Sequence, residues 1–133
     1  SASLVGSEMC IRDRGRFGAR RGALAVGVLW GLWHLPLNLF FYSPDTSLQS
    51  IAAQLVVCVT LGVFFTFAYE KCGKNIWLPV VLHYLNNSMV LVWTGTADIS
   101  NQIISWTDVA ISAIMYGVVF LPFLAAKCYR KNK

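Results

Sequence analysis

The chain has 133 residues, of which 56% are hydrophobic and 13% charged, and its mean hydropathy is +0.57. A soluble domain of this size carries about a quarter charged residues. The net charge of +5 comes from groups placed between apolar runs and not on them, which argues against a nucleic-acid partner and for a lipid bilayer.

Residues 1–14, SASLVGSEMCIRDR, differ in character from the rest of the chain. The segment has no initiator Met and resembles a conceptual translation of sequencing-adapter sequence. Native sequence is therefore expected from Gly15, with 15–133 forming a partial membrane domain. A short, poorly ordered native tail is the alternative. No function is placed on this segment.

Beyond it lie four apolar stretches: 22–42, with His34 as its one ionisable residue; 48–69, without charge; 76–93, with only His83; and 109–126, without charge. Crossing ~30 Å of hydrocarbon at ~1.5 Å per residue takes about 20 residues. A helix satisfies every backbone amide within its own segment. The expectation is an all-α, polytopic membrane protein with four transmembrane helices.

Arg12, Arg14, Arg16, Arg20 and Arg21 precede the first stretch. Lys71 and Lys74 lie between the second and third, and Lys127, Arg130, Lys131 and Lys133 come after the fourth. The other two connections hold no Lys or Arg, only Asp45, Asp98 and Asp108. Four crossings put every basic cluster on one side, so both termini are expected in the cytoplasm. Tyr42, Trp93 and Trp106 then fall at the outer interface, and Tyr69 and Trp77 at the inner one. Cys10, Cys58, Cys72 and Cys128 have neither metal-ligand nor disulfide spacing and are expected as free thiols.

Polar residues inside the apolar stretches carry the functional argument. In the first, Ala23, Gly27 and Gly31 recur every four residues, a small-residue stripe that admits a close neighbouring helix. Pro36 lacks an amide and disfavours helical geometry at Leu35, so a bend is expected just after His34. A packing histidine bonded to a freed carbonyl is the plain alternative to a functional one. In the third stretch His83 and Asn87, four apart, share a helix face with Asn86 beside them. Such residues are expected to point into the bundle, toward water or each other. Here the plain alternative is interhelical bonding, at about 0.6 kcal/mol per bond. His34 lies about 18 Å along its helix and His83 about 11 Å, a difference that tilt can absorb.

Neutral imidazole can relay a proton or ligate a metal, and an amide can stabilise a developing oxyanion. Hydrolysis also needs a group that activates water. The carboxylates Glu8, Asp13, Asp45, Glu70, Asp98 and Asp108 all lie outside the stretches, and two histidines leave a catalytic zinc one protein ligand short.

Trp30-x-x-x-His34, within GLWHLP, and His83-x-x-x-Asn87 resemble the second and third motifs of the CPBP family. That family comprises the type II CAAX prenyl proteases and bacterial relatives, including bacteriocin-processing and self-immunity proteins. The resemblance covers roughly residues 16–93, with Trp30 in place of the usual Phe. It implies an all-helical membrane fold in a bacterial plasma membrane, and endopeptidase activity on a peptide or protein at or in that membrane. His34 and His83 would help position and polarise the catalytic water, and Asn87 would contribute to the oxyanion site. Members are often called metalloproteases. A divalent metal such as zinc would find only His34 and His83 as candidate ligands.

The family's first motif, a Glu pair followed after three residues by Arg, supplies the water-activating carboxylate and belongs upstream of the first stretch. Ser7-Glu8-x-x-x-Arg12 is a half match, inside the foreign-looking segment and too near His34. The chain is therefore expected to be a fragment of a protease, inactive as written. The alternative is a non-catalytic membrane interaction or bacteriocin-immunity protein; a haem or ion carrier using His34 and His83 as paired ligands is a third reading.

Overall fold

The computed structural model describes residues 19–95, 98–126 and 129. The expected foreign segment 1–14 lies outside them, as do Cys10, Cys128 and most of the basic residues at the two ends. The regular structure of the described residues is all helical, without a strand, in four long helices: α1 (Ala19–Trp33), α2 (Ser47–Lys71), α3 (Trp77–Thr94) and α4 (Trp106–Phe120). Three helical stretches among them are long and apolar enough to cross a membrane: Arg20–Tyr42, Pro44–Lys71 and Trp106–Ala125. The expectation of four such stretches is thus met in three. The helix over the remaining stretch, α3, has 18 residues, and His83, Asn86 and Asn87 interrupt its apolar run.

Helix α1 breaks where Pro36 requires it. Regular α-helix ends at Trp33, His34 is a turn residue, a short α turn covers Leu35–Leu37, and Asn38–Tyr42 is π-helical. Pro36 sits in the first turn of the new segment, where a missing amide costs no hydrogen bond. Pro79 likewise lies in the first turn of α3, so it starts that helix and does not kink it. The first amide of α3, on Trp77, is capped by Asn75 Oδ1 at 3.0 Å. Ser105 and Asp108 form a reciprocal capping box at the start of α4.

Packing centres on α2, the one helix against which α1, α3 and α4 all rest. The small-residue stripe is where α1 meets it. A Cβ on Gly27 would come within 2.5 Å of Val59 Cα, and one on Gly31 within 2.6 Å of Leu55 Cδ2 and 3.2 Å of Leu55 Cα. Gly62 faces them from α2, its own Cβ position 3.3 Å from Gly27 Cα. The backbones touch because no side chain intervenes. Further down, Ala23 and Val63 are buried with Tyr129, whose hydroxyl donates to Val63 O at 2.5 Å. Cys58 is a buried free thiol and Cys72 an exposed one.

The two connections on the side opposite Lys71 and Lys74 are bonded together. Asn101 N donates to Phe41 O at 3.1 Å and Gln102 N to Tyr42 O, while Thr46 Oγ1 accepts from Ile104 N at 2.9 Å. This holds the end of the α1 segment beside the entry to α4.

Candidate active site

His34 and His83 come from different helices and meet on one ring. Trp30, one turn before His34 on α1, has its indole centroid 6.2 Å from the His34 imidazole and 4.9 Å from that of His83, the latter nearly edge-on at 71°. Phe65 of α2 closes the group, 6.0 Å from Trp30 and 6.3 Å from His83. Both imidazoles are half-buried. The contact of α1 with α2 through Gly27 and Gly31 makes this possible, because it sets Trp30 against Phe65 and opposite α3.

The helix break orients His34. Its amide bonds to Gly31 O at 3.1 Å, a three-residue step. The four-residue step is taken by the side chain instead, with Nδ1 2.9 Å from Trp30 O. Because a carbonyl only accepts, this bond places a proton on Nδ1, so that the neutral ring carries its lone pair on Nε2. The packing reading therefore does not exhaust the side chain: Nδ1 fixes the ring against its own helix, and Nε2 takes no part in that bond.

Asn87 does not point into the bundle as expected. It is exposed one turn beyond His83, and Asn86, half-buried, donates to its Oδ1 at 3.4 Å. The physical reason is rotational: His83 turns toward Trp30 and Phe65, and of the two amides in the next turn Asn86 stays half-buried while Asn87 faces outward. Two further residues belong to the neighbourhood without having stood out in the sequence. Phe65 is one of several phenylalanines in an apolar run, with nothing to distinguish it. Asn38 did carry a signal, a polar residue four positions after His34 inside an apolar stretch. It is 1% exposed and bonds to His34 O.

Among the described residues no three His, Cys, Asp or Glu side chains gather to hold a metal ion. His34 and His83 are two of the three protein ligands that a catalytic zinc needs, and the bond of His34 Nδ1 to backbone leaves Nε2 as the one donor this ring could offer. This donor set does not fit such a centre. Asp45, Glu70, Asp98 and Asp108 lie at helix ends or in connections.

Three apolar helical stretches of membrane-crossing length mark an integral membrane protein, in which the imidazoles of His34 and His83 meet on Trp30. The chain belongs to a peptidase family, the one described as type II CAAX prenyl endopeptidase Rce1-like, which matches residues 10–89. The match takes in α1, α2 and the part of α3 that carries His83 and Asn87. No curated protein and no solved structure matches the chain.

Proposed function

We propose that this chain carries the histidine-bearing part of an intramembrane endopeptidase of the CAAX-protease type, acting in a bacterial plasma membrane on a peptide or protein substrate. The observation that carries the reading is the convergence of His34 and His83 on Trp30. Nε2 of His34 accepts a hydrogen bond from the attacking water, and His83 on the facing helix polarises it. Asn87 lies one turn further along an exposed face, open to a substrate carbonyl, where its amide can stabilise the oxyanion. In this reading α3 is the fourth membrane crossing and both termini are cytoplasmic, supported by the basic residues on one set of connections.

Water activation needs a carboxylate, and the described residues set none beside the histidines. We therefore propose that proteolysis requires the Glu-Glu-x-x-x-Arg motif of the family and that the chain by itself is inactive. The test is a version carrying that motif upstream of Gly15, offered prenylated C-terminal peptides, leader peptides and membrane-protein segments. Cleavage that disappears on His34→Ala or His83→Ala supports the peptidase. A folded, glutamate-bearing protein that cleaves nothing in the panel refutes it. One observation, the absence of a carboxylate near the two imidazoles among the described residues, favours the second reading, a non-catalytic membrane interaction or bacteriocin-immunity protein. Binding that survives both histidine substitutions would select that reading.

A further inference from the structure

We infer that Asn38 is a positioning residue for His34, acting as a pin between α1 and α2 at the point where the α1 backbone breaks; the inference rests on the reading of His34 as a catalytic group. Pro36 has no amide to continue the ladder, so the turn carrying His34 depends on other bonds. His34 itself has φ −82° and ψ −3°, a conformation between two helical segments and not within one.

Asn38 supplies those bonds. Its backbone amide donates to His34 O at 3.0 Å, and its side-chain Nδ2 donates to the same oxygen at 3.0 Å. Its Oδ1 accepts from Ser50 Oγ of α2 at 2.6 Å. Asn38 is 1% exposed and Ser50 3% exposed, so these bonds have no water to replace them, and an unmade buried bond is costly. The His34 peptide is thus fastened to a neighbouring helix on one side. On the other, Nδ1 is fastened to Trp30 O at 2.9 Å. With both ends held, the ring keeps one orientation against Trp30 and Nε2 keeps one direction.

The chain contains only two histidines, so 15N-histidine labelling in lipid nanodiscs gives two imidazole signal sets, one per site. In the unaltered chain the neutral His34 signals should report the Nδ1-protonated tautomer. In Asn38→Ala they should move toward a mixture of the two tautomers, with the His83 signals in place and helix content by circular dichroism unchanged. Ser50→Ala should move them the same way, and Ser50→Thr, which keeps the hydroxyl, should leave them where they were. His34 signals that stay put in folded Asn38→Ala overturn the inference, as does equal movement of both histidines. If Asn38→Ala does not fold, the comparison of Ser50→Ala with Ser50→Thr decides by the same criterion.

A catalytic readout separates this from failure of the peptidase reading. In the glutamate-bearing version, Asn38→Ala should lower kcat by up to about a hundredfold through misplacement of His34 Nε2 and the water bonded to it, with KM unchanged. If the glutamate-bearing version cleaves nothing, the peptidase reading fails while the tautomer result still stands or falls alone.

Discussion

Replacing Gly27 with Ala tests the contact on which the site depends. The new Cβ would lie 2.5 Å from Val59 Cα and 3.0 Å from Cys58 O, whereas carbon atoms pack best at about 3.5–4.0 Å. The obstacle is backbone, which cannot rotate aside, so α1 and α2 must separate by about 1 Å. Overpacking of this kind costs about 2–3 kcal/mol, and the better helix propensity of Ala returns about 1 kcal/mol. The net expectation is a loss of about 1–2 kcal/mol. Gly117→Ala is the matched control: its Cβ would meet only Leu121 Cδ1 at 3.7 Å, an ordinary contact. There the propensity gain is unopposed, so the two substitutions should shift stability in opposite directions. The assay is reversible unfolding in mixed micelles followed by circular dichroism. Trp30 lies within one turn of Gly27, so its fluorescence should change as well. If Gly27→Ala is as stable as Gly117→Ala, the backbone contact of α1 with α2 is refuted, and with it the placement of Trp30.

The same packing sets further outcomes. Trp30→Ala removes the ring between the imidazoles and should abolish cleavage by the glutamate-bearing version, whereas Trp30→Phe, the residue usual in the family, should retain most of it. In a variant with Cys10 and Cys128 changed to Ala, exposed Cys72 should react with a membrane-impermeant maleimide from the cytoplasmic face only, and buried Cys58 from neither; labelling of Cys72 from outside would overturn the proposed topology. Ser105→Ala removes the capping box of α4 and should cost about 1 kcal/mol in the same unfolding assay, while Thr107→Ala, at an exposed position in that turn, should change little.

Much of this arrangement is legible from residue types. Pro36 announces the break after His34, because a residue without an amide cannot continue a helix ladder. The spacing of Ala23, Gly27 and Gly31 announces a close helix, and α2 is that helix. The exposure of Asn87 runs against expectation for a physical reason. A helical face says which residues project together, but not how the helix is rotated against its neighbours. Helix α3 holds His83 against Trp30 and Phe65, and its next turn leaves Asn87 exposed.

The helical, membrane-crossing character of the chain can be read from its residues alone, since hydropathy and backbone satisfaction in lipid are properties of each segment separately. The residues alone also mark His34, His83 and Asn87 as groups that lipid cannot explain. It takes the packed helices to show that His34 and His83 share Trp30, that Nδ1 of His34 is held by its own helix, and that Asn38 joins that helix to Ser50. Those facts depend on the depth and rotation of α1 against α2, and these are set where glycine leaves the two backbones free to touch.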